Sequence, residues 1–181
     1  MSNNPSFIYV EDNVFNKKEC NRIIKKFKPK LDYVLPSGVF ATLGEKPYFA
    51  KKFYEVLVKY QKTYPHIHYT PSKWQLGNFK FHFYKNGKSF DEWHNEHCMS
   101  QPHRILGMIL YLTEHQTGTE FLSGGYIQSK IGRVAAFPSG FTHTHRGQVC
   151  PEKKDRFIIS AYVSFFEKGV KEIEWVKKNE R

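Results

Sequence analysis

Cysteine is scarce in this sequence, and no two cysteines stand close together. The 181 residues contain 3 Cys, at positions 20, 98 and 150, and none of them belongs to a C-x-x-C pair. This spacing argues against a zinc ribbon and predicts free thiols in a reducing compartment.

Long apolar runs are also missing. No run approaches the length of a transmembrane helix, and the start "MSNNPSFIYVEDN" has no basic segment followed by an apolar one. There is no internal repeat and no low-complexity tract. We therefore expect one soluble, unsecreted domain over residues 1–181 that works in the cytoplasm and does not contact a membrane.

Aromatic residues and positive charge are abundant. Aromatics make up 17% of the chain, with 16 Phe and 11 Tyr, which favours a β-rich interior because these side chains suit a pleated, half-buried surface. The net charge of +11, from 28 basic and 17 acidic residues, favours anionic partners, either nucleic acid or acidic protein segments. An ordinary basic surface explains the charge equally well.

Two amphipathic helices are predicted in the amino-terminal third. The first begins at Asn16, which has Glu19 at capping-box spacing, and the second lies within residues 47–64. Between them, glycines and a proline predict a loop over residues 38–47. Each helix has an apolar stripe at i, i+3, i+4 and i+7, formed by Cys20, Ile23, Ile24 and Phe27 in the first and Phe53, Val56, Leu57 and Tyr60 in the second.

From residue 72 the hydrophobic period changes from 3.6 to 2. In "NFKFHFY" three phenylalanines alternate with Lys80, His82 and Tyr84, so these polar side chains share the opposite strand face. Further short strands are predicted within residues 103–112, 118–123, 125–132, 133–138 and 156–166. Two helices followed by seven or eight short strands predict an α+β domain, its sheet curled into a sandwich or jelly roll with the helices on one face.

The stretch "DEWHNEHC" places two metal-ligand types at i and i+2. On a strand, His94 and Glu96 point the same way, and "FPSGFTHTHRG" supplies a distant His143 or His145. Two histidines and one carboxylate form a facial triad that holds iron(II) and leaves three coordination positions open. A closed structural zinc site fits less well, because it usually takes cysteines and a fourth protein ligand. The alternative is a pair of solvated polar residues at a strand end.

A second candidate site lies at the start of the last long strand. Arg156 opens "RFIISAYV", and Ser160 lies four residues on, on the same face. An iron site that activates oxygen needs electrons, which a bound 2-oxo acid can supply, and its carboxylate suits the fork geometry of an arginine. The alternative is an ordinary strand-end arginine paired with Asp155 or Glu152.

The sequence resembles the iron(II)- and 2-oxoglutarate-dependent dioxygenases of the prolyl 4-hydroxylase-like branch. The resemblance covers roughly residues 74 to 166 and rests on "FYKNGKSFDEWHNE", "MILYLTE", "GTEF", "GRVAAFPSGFTHTHRG" and "RFIISAYV" in the family's order. It implies a double-stranded β-helix, or jelly roll, with two supporting helices packed on one face. Residues 5–70 would then form the supporting strand and helices, residues 72–166 the catalytic core, and residues 167–181 a polar tail.

The resemblance also implies roles for individual residues. His94, Glu96 and His145 match the iron(II) ligands, and His145 is preferred to His143 because of its "THRG" context. Arg156 matches the residue that grips the distal carboxylate of 2-oxoglutarate, with Tyr84, Tyr111 and Ser160 assisting. The chain departs from the common pattern twice, with Glu96 in place of Asp and Arg156 in place of Lys.

The activity implied is hydroxylation of a C–H bond with O2 and 2-oxoglutarate, releasing succinate and CO2. A prolyl residue in a peptide or protein is the leading substrate, with Arg104 and His82 as candidate substrate contacts. A carboxylate at position 96 argues against a halogenase, which leaves that position vacant. Two rivals remain open: an oxygenase acting on nucleic acid, and a jelly-roll module that binds metal without turnover.

Overall fold

The computed structural model describes residues 6–31, 33–34, 38–70 and 73–165. The predicted polar tail over residues 167–181 lies outside these residues. The helices and strands follow the chain in this order: β1 (Tyr9–Glu11), α1 (Lys17–Phe27), β2 (Tyr33–Val34), β3 (Val39–Thr42), α2 (Ala50–Thr63), β4 (Trp74–Tyr84), β5 (Arg104–Tyr111), β6 (Gly118–Phe121), β7 (Tyr126–Gln128), β8 (Val134–Pro138), β9 (His145–Gly147) and β10 (Arg156–Phe165).

Both predicted helices are confirmed. Asn16 Oδ1 accepts a hydrogen bond from Glu19 N at 2.9 Å, and Asn16 N donates to Glu19 Oε2 at 2.8 Å, so the capping box starts α1 as its sequence predicts. Glu19 also forms an ion pair with Lys52 Nζ of α2 at 2.8 Å. None of the helices in the described part of the chain combines the length and the apolar character needed to cross a membrane.

The strands form two sheets with antiparallel pairing. The larger sheet has seven strands in the order β1-β8-β5-β10-β4-β3-β2, and the smaller has three in the order β7-β6-β9. Strands from distant parts of the sequence are neighbours, as β1 and β8 are. Two helices and two antiparallel sheets confirm the predicted α+β class.

Alternation along the strands divides the interior into two hydrophobic cores. One core joins both helices to one face of the larger sheet and includes Phe53, Phe81 and Leu110. The other lies on the opposite face, where Tyr111 packs with Phe121 of the smaller sheet. The larger sheet is therefore covered by helices on one face and by the smaller sheet on the other.

The prediction of a loop over residues 38–47 is wrong in part, because β3 lies within it. Val39–Thr42 pairs with β4, with Phe40 opposite His82. The strand has four residues, too few to show a period in the sequence, and its pairing depends on a partner forty residues away. β9, which begins at His145, is a second short strand that the sequence pattern did not predict.

Candidate active site

The two histidines of the predicted triad lie opposite each other in a single antiparallel bridge. His94 N donates to His145 O at 3.0 Å, and His145 N donates to His94 O at 2.8 Å. His94 belongs to no continuous strand, so the expectation that it lies on a regular strand is wrong. Glu96 N donates to Ser139 O at 3.0 Å, which holds the carboxylate on the same side as both imidazoles.

The three side chains converge through one atom each. Nε2 of His94 and Nε2 of His145 both lie 3.9 Å from Glu96 Oε1. Nδ1 of His94 lies 2.9 Å from the carbonyl oxygen of Glu92, and Nδ1 of His145 lies 2.9 Å from that of His143. A carbonyl only accepts, so each Nδ1 carries the ring proton and each Nε2 presents its lone pair to the centre.

Burial keeps His145 uncharged. Its removal from water, and then the neighbouring His94, lower the pKa of His145 to about 4. The imidazole is therefore neutral at neutral pH, which is the form that binds a metal ion.

A buried arginine holds the carboxylate of this centre from the side away from the histidines. Arg104 Nη1 donates to Glu96 Oε2 at 2.9 Å, and the Arg104 side chain is only 7% exposed. The Arg104 guanidinium lies 3.5 Å from the ring centroid of Tyr162, whose hydroxyl donates to Glu96 Oε1 at 3.3 Å. These contacts fix the orientation of Glu96, because both of its oxygens have a donor on the protein side.

The donor set fits an iron(II) ion. Two imidazole nitrogens and one carboxylate oxygen, with all three ligand atoms within 4.8 Å of one another, form the facial arrangement that leaves three positions open. His143 is engaged elsewhere: its Nε2 lies 2.7 Å from Ser6 O and its Nδ1 lies 3.0 Å from Thr142 Oγ1. The geometry therefore favours His145 over His143 as the distal ligand.

Arg156 presents a buried cation that has no anionic partner among the described residues. The residue is 3% exposed, Nη1 donates to Gln148 O at 2.7 Å, and Nη2 donates to Thr117 Oγ1 at 2.7 Å. Nε is buried and has no hydrogen-bond partner among the described residues. Neither Asp155 nor Glu152 forms an ion pair with it in that part of the chain, so the alternative of a strand-end surface pair is not found.

The side chains around Arg156 are neutral hydrogen-bonding groups. Burial raises the pKa of Tyr111 to about 12 and also raises that of Tyr84, so both phenols keep their protons. His82 Nε2 lies 2.8 Å from Ser160 Oγ, and burial, followed by the charge of Lys80, lowers the pKa of His82 to about 3. No carboxylate in the described part of the chain therefore offsets the positive charge at this end of the site.

One cavity of about 240 Å³ connects the two ends of the site. Every site residue predicted from the sequence lines it: His82, Tyr84, His94, Glu96, Arg104, Tyr111, His145, Arg156 and Ser160. The face predicted for "NFKFHFY" is correct, since Lys80 lines the cavity beside His82 and Tyr84.

Sequence reasoning missed Tyr162 and the contact between Arg104 and Glu96. Tyr162 lies two residues after Ser160, and the strand period would have suggested it, although β10 has an irregular register between these two residues. Arg104, a candidate substrate contact from the sequence, is buried and donates to Glu96 Oε2.

Comparison with known proteins gives matches to solved structures only. No family model and no curated protein matches the sequence. A viral collagen prolyl hydroxylase from Paramecium bursaria Chlorella virus-1, in its 2OG complex, is 15% identical, with 90% of this chain and 98% of that chain covered and a TM-score of 0.70. A Pseudomonas putida prolyl-4-hydroxylase is 11% identical, with 90% and 95% covered and a TM-score of 0.64.

A third match was solved with a peptide. It is a prolyl hydroxylase from Trichoplax adhaerens in complex with a peptide fragment of the hypoxia inducible factor oxygen degradation domain. This structure is 9% identical, with 89% of this chain and 84% of that chain covered and a TM-score of 0.66. At such identities the likeness establishes that this chain has the fold of the prolyl hydroxylases.

Proposed function

We propose that this protein is an iron(II)- and 2-oxoglutarate-dependent dioxygenase that hydroxylates a C–H bond. In this proposal its two sheets form the double-stranded β-helix, or jelly roll, expected from the sequence. The observation that carries the proposal is the pairing of two features on one cavity: a facial set of two imidazoles and a carboxylate, and a buried guanidinium with an unused N–H.

His94, Glu96 and His145 hold the metal ion. Bound iron(II) would supply the redox chemistry that, with 2-oxoglutarate and O2, inserts one oxygen atom into a C–H bond and releases succinate and CO2. The residues themselves fix the ion's position: hydrogen bonds at Nδ1 set the histidine tautomers, and Arg104 sets the angle of Glu96. Because a carboxylate stands at position 96, hydroxylation is the expected outcome.

Arg156 binds the distal carboxylate of 2-oxoglutarate. Its Nε has no partner among the described residues, so a carboxylate oxygen arriving there would satisfy a donor that is otherwise buried at a cost. Tyr84, Tyr111 and Ser160 line the same end of the cavity and offer hydroxyl groups that the raised phenol pKa values keep protonated.

His82 and Arg104 are proposed to contact the substrate or the groups that hold it. Arg104 Nε is buried without a partner among the described residues, so this N–H is a donor for a substrate carbonyl while Nη1 bonds Glu96. His82 lies against Ser160 and within 3.4 Å of the Tyr84 hydroxyl. Its position supports a role in arranging the co-substrate pocket.

The proposed substrate is a prolyl residue in a peptide or protein. A prolyl ring presents C–H bonds without a competing backbone N–H, and its fixed φ lowers the entropy lost when the peptide docks. Acidic flanking residues would suit the net charge of +11. The peptide seen in the Trichoplax structure supports a prolyl substrate by analogy of fold.

Succinate release tests the proposal. Purified protein with iron(II), 2-oxoglutarate and O2 is offered proline-rich peptides, oligonucleotides, or no substrate, with the Glu96→Ala variant as the matched control. We expect prolyl peptides to stimulate succinate release and to become one oxygen atom heavier at a proline. Stimulation by oligonucleotides alone would move the substrate assignment to nucleic acid, and succinate formation equal to that of Glu96→Ala under all conditions would indicate a binding module.

A further inference from the structure

A second group of metal-ligand side chains lies outside the triad. His115 belongs to the loop between β5 and β6, and Cys150 and Glu152 belong to the loop between β9 and β10. None of the three lines the cavity described above. The proposed dioxygenase activity does not use them.

The three side chains meet through a nitrogen, a sulfur and an oxygen. His115 Nδ1 lies 3.0 Å from Cys150 Sγ, and Cys150 Sγ is in hydrogen-bond contact with Glu152 Oε2. All three ligand atoms lie within 4.8 Å of one another. His115 is 3% exposed and Cys150 is 1% exposed, whereas Glu152 is half-buried and borders the solvent.

Backbone hydrogen bonds hold this group in place. His115 N donates to Ser129 O at 2.9 Å, and Cys150 N donates to Gly87 O at 2.8 Å. The second carboxylate oxygen of Glu152 accepts from Gln116 N at 3.0 Å, so Oε2 is the oxygen directed at the thiol. The ligand set is therefore fixed by the fold before any ion arrives.

Thr113 can hold His115 in the tautomer that binds metal through Nδ1. His115 Nε2 lies 3.1 Å from Thr113 Oγ1, an oxygen that also accepts from Phe157 N at 3.0 Å, and a hydroxyl either accepts from Nε2–H or donates to Nε2. Metal binding takes the first arrangement, in which Nδ1 carries the lone pair. Burial, followed by the charge of Arg156, lowers the pKa of His115, which favours the neutral ring.

We propose that His115, Cys150 and Glu152 bind one zinc ion. Imidazole nitrogen, thiolate sulfur and carboxylate oxygen are the ligand types of zinc, and a water on the exposed Glu152 side would complete four-coordination. A thiolate makes this site softer than the triad, so the two sites differ in metal preference. Binding replaces the thiol proton of Cys150, which leaves to solvent, and no electron is transferred.

Metal binding requires the three side chains to move apart. Tetrahedral bonds of about 2.3 Å to sulfur and about 2.0 Å to nitrogen or oxygen place the sulfur roughly 3.5 Å from each of the other two atoms. The 3.0 Å contact between His115 Nδ1 and Cys150 Sγ therefore opens by about 0.5 Å, and the shorter contact between Cys150 Sγ and Glu152 Oε2 opens further.

The ion would cross-link the two loops that position Arg156. Arg156 donates to Thr117 Oγ1 and to Gln148 O, and these residues lie two positions from His115 and Cys150 respectively. A zinc ion at the second site would thus fix the spacing of the loops between which the guanidinium lies. This effect on loop spacing is separate from the triad chemistry.

Cobalt(II) titration of the reduced full-length protein tests the site directly. A thiolate bound to cobalt gives an intense near-ultraviolet charge-transfer band, and the triad contains no sulfur, so the band excludes the triad and the cysteine variants identify which thiol binds. We expect the band to reach its maximum when each protein has one cobalt ion bound to sulfur. Added zinc should displace this ion and abolish the band. It should vanish in Cys150→Ser and persist in the control Cys98→Ser, whose thiol is exposed.

His115→Gln provides a second variant that leaves the thiol in place, should Cys150→Ser fold poorly. We expect it to weaken zinc binding by more than about 100-fold. This exceeds the loss typical of a residue that only hydrogen-bonds to a metal ligand. Absence of the band in the folded wild-type protein would overturn the proposal. So would a band that disappears in Cys98→Ser, since the surface thiol would then be the ligand. Neither result bears on succinate formation, which tests the triad.

Discussion

Replacing Arg156 by alanine should raise the 2-oxoglutarate requirement steeply and leave metal binding nearly unchanged. The guanidinium is 3% exposed, and no carboxylate pairs with it among the described residues. A bound co-substrate would therefore be the anionic partner in a buried ion pair. Removing one partner of such a pair costs roughly 3–5 kcal/mol, or about two to nearly four decades in affinity.

The assay is anaerobic equilibrium binding of 2-oxoglutarate to the iron(II)-loaded protein, with iron affinity measured separately. Arg156→Lys keeps the charge but loses the fork, so it should fall between the wild type and Arg156→Ala. Arg146→Ala is the matched control, since Arg146 pairs with Glu120 near the surface. This variant should bind 2-oxoglutarate with the affinity of the wild type. Unchanged 2-oxoglutarate affinity in Arg156→Ala would mean that another cation binds the carboxylate.

Two further predictions concern groups that line the cavity. Arg104→Met should weaken iron(II) binding by about 10- to 100-fold, because Glu96 loses the donor that orients it; an unchanged iron titration would contradict that role. His82 should make the protein acid-sensitive. Its folded pKa of about 3 lies below the ordinary value, so stability is lost as pH falls from about 6.5 toward 3. Between pH 7 and pH 5 the free energy of unfolding, measured with urea, should fall by up to about 2 kcal/mol more in the wild type than in His82→Gln. Equal falls in the two proteins would refute the lowered pKa.

Local periodicity predicted the parts of the fold and site that depend on neighbours in sequence. The capping box at Asn16 set the start of α1, and the alternation of β4 placed His82 and Tyr84 on the cavity side. The i, i+2 spacing of His94 and Glu96 placed both side chains on one side even though no regular strand forms there. The backbone hydrogen bond from Glu96 N to Ser139 O holds this segment in place of a strand ladder.

Features that depend on distant segments could not be predicted in this way. The bridge between His94 and His145 and the ion pair of Arg104 with Glu96 follow from tertiary packing, which a period of two or 3.6 does not encode. The strand β3 is short, and its partner sets its pairing. The group around Cys150 was invisible for the same reason, since His115 lies 35 residues away in sequence.

The most direct test of the account is the visible absorption of the anaerobic complex of the protein with iron(II) and 2-oxoglutarate. We expect a weak metal-to-ligand band in the wild type, its loss in His145→Ala and in Glu96→Ala, and its retention in His143→Ala, whose ring nitrogens bond Ser6 and Thr142 instead. A wild-type band in both His145→Ala and Glu96→Ala would contradict the triad. Loss of the band in His143→Ala alone would assign the distal ligand to His143.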